Sequence, residues 1–173
     1  TTNRLNGSFS FDTLDFTLAD VGTKTYTIIE RAGSLGGVDY DETVHTIVAE
    51  IVDNGDGTLS VTLTQGSATG NNFYNKYSAT GSLAIGGKKY LKGRDLKAGE
   101  FWFALYEGMD LVDEKANLLD GSFSFDTLHF TLADVGTKTY RVVERIGTLG
   151  GVDYDETEYT VTVEISDNED GTL

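Results

Sequence analysis

The sequence predicts an all-β protein made of tandem β-sandwich domains, about one and a half copies of a repeat 114 residues long. Three observations carry that expectation. Apolar residues alternate with polar ones in several short runs, the period of a strand with one buried face. Gly, Asn and Asp punctuate those runs, and no helical stretch of useful length intervenes. Long segments also recur at a single spacing.

The repeat sets the domain plan. GSFSFDTLDFTLADVGTKTYTIIER (7–31) returns as GSFSFDTLHFTLADVGTKTYRVVER (121–145) with four differences. GGVDYDET recurs from 36 to 150, and DNGDGTL at 53 becomes DNEDGTL at 167, each displaced by the same 114 residues. A period of that size matches a whole domain rather than a solenoid unit. Residues 1–79 are read as the C-terminal part of a first repeat lacking its first strands. Residues 80–173 are read as the N-terminal part of a second repeat lacking its closing strands. The join falls in YSATGSLA (77–84), small and polar enough for a short linker, so the chain is expected to be a window onto a longer array.

Along the chain, KTYTIIE places Tyr26, Ile28 and Glu30 on one strand face. Leu59, Val61 and Leu63 follow the turn Asp56-Gly57, a hairpin signal. In NNFYNKY, Phe73, Asn75 and Tyr77 share a face. A strand beginning at Leu83 puts Ile85, Gly87, Lys89 and Leu91 with it. Phe101, Phe103 and Leu105 point away from Trp102. Tyr140, Val142 and Glu144 repeat the first-copy pattern, and Tyr159, Val161, Val163 and Ile165 alternate with polar residues.

Composition narrows the function. A net charge of −15 argues against nucleic-acid partners, which demand clustered Lys and Arg. The absence of cysteine removes disulfides, zinc–thiolate sites and thiol catalysis together, and no cofactor or metal is expected. Proline is absent too, so the connections are not polyproline spacers. No apolar run has the length of a membrane span. Neither a secretory signal nor a cell-wall sorting motif is visible in this stretch.

Three polar residues then stand out, because Lys89, Glu30 with its copy Glu144, and Asn75 each share a face with aromatic or aliphatic side chains. Burying any one of them unpaired is expensive. Together they point to a reaction. A neutral lysine amine can attack an asparagine amide, releasing ammonia and leaving an isopeptide bond. Desolvation lowers the lysine pKa and raises the glutamate pKa, since it disfavours both charged forms. A protonated glutamate can donate to the amide oxygen and relay protons to the departing ammonia. Contact between amine and carbonyl removes several kcal/mol more of the barrier.

The segments that hold these residues resemble the isopeptide-forming immunoglobulin-like domains of Gram-positive pilins and surface adhesins, particularly the streptococcal major-pilin type. KYLKGRDLKAGEFWFAL (89–105) is similar to the family's lysine-bearing first strand, with the lysine leading K-x-L-x-G-R. DVGTKTYTIIE (20–30) and DVGTKTYRVVE (134–144) end on its glutamate. VDYDETEYTVTVEISDNEDGTL (152–173) is similar to the next strand pair, and FYNKY (73–77) to the closing F-x-N-x-Y strand. The resemblance implies immunoglobulin-like sandwiches in which Lys89 and Asn75 are crosslinking residues and Glu30 and Glu144 catalyse the bond. It also implies that Lys89 and Asn75 react within their own complete domains rather than with each other in one chain, because the family joins first strand to last. The partner of Lys89 would then fall near position 189, and that of Asn75 before residue 1.

By the same resemblance, the expected function is structural. The chain would be part of an extracellular, cell-surface or cell-wall-attached stalk or pilus shaft whose partners are adjacent repeats or subunits. The alternative is an adhesin whose repeats themselves bind host protein or glycan, for which Trp102 and a few tyrosines are candidates. An enzyme is disfavoured, because no paired carboxylates, nucleophile–base set or metal cluster recurs in both copies. DNGDGTL resembles a calcium loop, but Gly55 interrupts the ligand spacing and a tight hairpin explains it better. The glycines of GSLGG and GTLGG lack phosphate-loop spacing. His45 replaces the Tyr159 of the other copy, which favours a packing role.

Overall fold

The computed structural model describes residues 1–173. In chain order the strands are β1 (Gly22–Ile29), β2 (Val38–Asp39), β3 (Val44–Asp53), β4 (Leu59–Gln65) and β5 (Lys76–Tyr77). They continue with β6 (Thr80–Leu83), β7 (Gly86–Lys88), β8 (Trp102–Glu107) and β9 (Asp110–Ala116). The last are β10 (Ser122–Ser124), β11 (Leu128–Thr131), β12 (Gly136–Glu144) and β13 (Glu158–Ile165). The only helical pieces are two 3-10 turns, Leu18–Asp20 and Leu132–Asp134. The fold is therefore all-β, in accord with tandem immunoglobulin-like sandwiches. No helix is long and apolar enough to cross a membrane. Two compact units form: Thr1–Gly33 with Tyr40–Asn75, and Ser34–Asp39 with Lys76–Leu173.

The first unit is built on the antiparallel sheet β1-β3-β4. The β3–β4 hairpin closes through DNGDGTL, where the Asp56 carboxylate accepts the Thr58 hydroxyl at 2.6 Å and its N–H at 3.0 Å. Ala49 and Ile51 are its buried apolar residues, while Val61 and Leu63 remain 49% and 42% exposed. Tyr26 and Ile28 are half-buried on the face that ends at Glu30.

The second unit is a two-layer sandwich. One layer is the sheet β13-β12-β8-β9, with β12 in register between β8 and β13. The other consists of the ribbons β7–β10 and β6–β11. Between them lies a core of Ile85, Phe101, Phe103, Leu105, Phe123, Phe125, Tyr140 and Val142. Phe103 and Phe123 stack across the layers with centroids 3.7 Å apart. Each such buried side chain contributes roughly 1.5–3 kcal/mol of hydrophobic stabilisation. Trp102 points outward and is 51% exposed, on the strand face opposite Phe101 and Phe103.

One expected element is divided. Of the strand anticipated from Leu83 to Leu91, Leu83 is the last residue of β6, paired with β11, and only Gly86–Lys88 continues as β7, paired with β10. Within β7, a Cβ added at Gly87 would stand 2.7 Å from the Phe123 ring. The ring of β10 crosses directly over β7, which a side chain at 87 would block. The inward parity holds after the break, with Ile85 buried and the Lys89 side chain 11% exposed, whereas Leu83 before it is 37% exposed.

Candidate functional site

Glu144 ends β12, opposite Phe103 of β8. It lies on the same face as Tyr140 and Val142, so period-two alternation carries its side chain inward to 4% exposure. Lys89 follows β7, where its backbone N–H is held by the Gly121 carbonyl at 2.8 Å. Its Nζ donates to Glu144 Oε2 at 2.7 Å and sits 4.6 Å from the centroid of the fully buried Phe101 ring. The Asp155 N–H donates to the same Oε2 at 3.2 Å. Glu144 Oε1 is buried and has no hydrogen-bond partner, and an unsatisfied buried acceptor is costly. Beside this pair opens a cleft of 490 Å³ walled by Ile85, Phe123, Val142 and Val161.

The first unit holds the counterpart. Glu30 is half-buried at the end of β1. Its Oε1 accepts the Asn75 Nδ2–H at 2.8 Å, and its Oε2 accepts the Asp41 N–H at 3.2 Å. The Asp41 N–H also donates to Asn75 Oδ1 at 2.9 Å. An N–H can donate only to the oxygen of an amide, so this contact orients Asn75 with its nitrogen towards the glutamate.

Glu30 and Glu144 correspond across the repeat, as do Asp41 and Asp155. The aspartate N–H reaches Oε2 at 3.2 Å in both units. Around that shared frame, one unit adds an amide on Oε1 and the other an amine on Oε2. The structure thus brings Lys89 to Glu144, and Asn75 to Glu30, each within its own unit.

Two expectations need correction. Asn75 is exposed rather than turned inward with Phe73, because β5 begins only at Lys76 and the chain before it is not in a sheet. The amide oxygen, assigned from sequence to a glutamate proton, is held by the Asp41 backbone N–H, and the glutamate faces the amide nitrogen instead. Asp41 and Asp155 were not anticipated as site residues. Their sequence signal is the D-x-T turn within GGVDYDET, recognised there only as a repeat landmark. The Thr43 hydroxyl, with the Tyr74 and Thr43 N–H groups, holds the Asp41 carboxyl below the usual carboxylate range. The Thr157 hydroxyl does the same for Asp155. His45 packs edge-on against Phe73 at 4.9 Å, with Nε2 3.0 Å from the Asn72 carbonyl, the packing role expected of it.

Comparison with known families places this geometry in context. A family model described as FctA, the Spy0128-like isopeptide-containing domain, matches residues 1–78 and again residues 85–173. No curated protein and no solved structure matches the chain.

Proposed function

The chain belongs to the family of Spy0128-like isopeptide-containing domains, a structural pilin type, and from that premise we propose a stalk or pilus-shaft role in which each repeat, 1–79 and 80–173 being parts of two, is locked by an autocatalytic Lys–Asn isopeptide bond. A surface-exposed, extracellular setting and association with neighbouring repeats or subunits accord with that membership. Cell-wall attachment belongs to the proposal. The reaction runs once per domain and without turnover.

The observation that carries the reading is the complementarity of the two glutamate sites. Combining them on one carboxylate puts a lysine amine on Oε2, an asparagine NH₂ on Oε1 and an aspartate N–H on the amide oxygen. In that arrangement a proton passes from the amine to the carboxylate, leaving a neutral nucleophile and a carboxyl that can act as the acid. Lysine Nζ attacks the amide carbon and the backbone N–H of the aspartate stabilises the oxyanion. The carboxyl proton goes to the departing NH₂ as the C–N bond breaks, and the carboxylate takes the proton released by Nζ. One C–N bond forms, one breaks, and ammonia leaves. The unpartnered Glu144 Oε1 and the adjoining cleft support an asparagine-bearing strand as the missing participant in the second unit.

A loop of about 100 residues closed in this way gains roughly 4–5 kcal/mol on the chain-entropy model of crosslinks. An amide also resists reduction, which a disulfide does not.

The test uses an Asn75→Ala chain mixed with a peptide of residues 71–79, so that only the peptide supplies the Asn75 side chain. A covalent adduct at Lys89 is expected, its mass the sum of the two less one ammonia, and absent from Lys89→Ala and Glu144→Ala chains. Peptide that binds at the cleft without ever forming an adduct would overturn the proposal.

A further inference from the structure

Away from the glutamate sites, three separate segments of the chain meet: a strap Gly36–Asp39, the linker Lys76–Thr80 and the turn Asp167–Leu173. The strap pairs with the linker through Val38 opposite Tyr77 and Asp39 opposite Lys76, and the Ser78 N–H donates to the Gly37 carbonyl at 2.8 Å. At the far end of the linker, the Thr80 N–H donates to the Gly171 carbonyl at 3.2 Å, and the Thr80 carbonyl accepts the Leu173 N–H at 3.0 Å. The linker therefore bonds the strap through Lys76–Ser78 and the turn through Thr80. Tyr77 fastens it: its hydroxyl donates to Asp167 Oδ1 at 2.7 Å and accepts the Gly171 N–H at 3.3 Å.

The strap touches the turn directly, and only glycine permits it. A Cβ at Gly36 would lie 1.9 Å from the Asp170 carbonyl oxygen. Gly37 has φ +74°, and a Cβ there would lie 2.6 Å from the Gly171 Cα. The repeat supplies an internal control. Gly150 and Gly151, the counterparts 114 residues on, would place a Cβ in open space, as would Gly55 and Gly57 of the DNGDGTL turn. Strap and turn thus each occur twice, once engaged with the other and once not. The close packing at Gly36 comes from the turn of the other copy and not from the fold of its own.

We propose that the Gly-Gly strap is a socket for the D-N-x-D-G-T-L turn of the repeat that follows it, with the linker clamped between the two. Gly150–Gly151 is the same socket unengaged, and Asp53–Leu59 the matching turn. The partner this surface fits is another copy of the same repeat, recognised through backbone contact and one tyrosine–aspartate hydrogen bond. The inference is independent of the isopeptide reading, since it involves none of Lys89, Glu144, Glu30 or Asn75.

The matched variants Gly36→Ala and Gly150→Ala test it, read by hydrogen exchange at Ser78 and Thr80 and by tryptic cleavage after Lys76. Gly36→Ala is expected to raise both by about tenfold, the scale of losing one local hydrogen bond, with Gly150→Ala unchanged. Protection of Phe103–Leu105 in β8 reports whether the second unit remains folded. Equal linker exchange in the two variants, with β8 protected, overturns the proposal. If Gly36→Ala unfolds β8, Tyr77→Phe decides instead: it keeps the ring and removes the bond to Asp167, and an unchanged linker then refutes the socket.

Discussion

Glu30 and Glu144 present one carboxylate geometry to two different partners. Both take an aspartate N–H on Oε2 at 3.2 Å, yet Oε1 of Glu30 holds the Asn75 amide while Oε2 of Glu144 holds the Lys89 ammonium. Because the two partners use different oxygens, nothing in the geometry prevents one glutamate from holding both. The pairing of Lys89 with Glu144 has consequences for stability whether or not the bond forms.

Glu144→Ala strands an ammonium that is 11% exposed and is expected to lower the unfolding free energy of the second unit by about 3 kcal/mol. Lys89→Met combined with Glu144→Leu should recover most of that loss, because the desolvation of both charges disappears together. Urea unfolding followed by the fluorescence of the single tryptophan, Trp102, measures both. A double variant no more stable than Glu144→Ala would contradict the argument.

The backbone N–H of Asp155 can be removed without guessing at side chains. Asp155→Pro deletes the donor and Asp155→Ala keeps it. Adduct formation with the 71–79 peptide is expected to be about 100-fold slower in the proline variant than in the alanine variant, the scale of one oxyanion donor. Equal rates would remove this N–H from the mechanism.

Packing at Gly87 is expected to be unforgiving. An alanine Cβ would stand 2.7 Å from the Phe123 ring, which is itself stacked on Phe103. Overpacking of this kind costs about 1–3 kcal/mol. The melting temperature of Gly87→Ala should fall accordingly, and a variant that melts with the parent would show that β10 can shift.

Acid should weaken the fold in a defined window. Asp41 and Asp155 are held below the ordinary value of 3.8 by the hydroxyls of Thr43 and Thr157. A carboxyl that is more acidic folded than unfolded contributes stability that is complete above its unfolded pKa. That contribution is lost as pH falls through the folded value. Melting temperature is therefore expected to hold level from neutrality to about pH 4 and then drop, less steeply in the Thr43→Val, Thr157→Val double variant. A drop of unchanged slope would assign the acid sensitivity to other carboxylates.

What was legible in the sequence follows from range. Inward parity at Ile85, Lys89, Tyr140, Val142 and Glu144 is a property of the strand itself and reads directly from alternation. The turn Leu18–Asp20 recurs at Leu132–Asp134 because its bonds, from the Thr17 and Thr131 N–H and hydroxyl to Asp20 and Asp134, lie within four residues. Ser122–Ser124 is different. It is a strand because Gly86–Lys88 lies alongside, whereas the identical Ser8–Ser10 is irregular. Its state depends on a neighbour that its own letters do not specify. The same holds for Asp41 and Asp155, which act through a backbone N–H that every residue but proline carries. The exposure of Asn75 was hidden for a related reason, since alternation was extended to a segment that is not in a sheet.

That Ser8–Ser10 and Ser122–Ser124 are identical in sequence bears on how repeats of this kind find their own partners. In a chain of such repeats, the letters of the ribbon strand alone would not distinguish its own β7-type neighbour from that of an adjacent copy. Order of emergence, rather than affinity, would then have to sort them. Were the proposed Lys–Asn bond to close too early, it would fix an exchanged pairing permanently, so slow closure relative to folding would serve as proofreading.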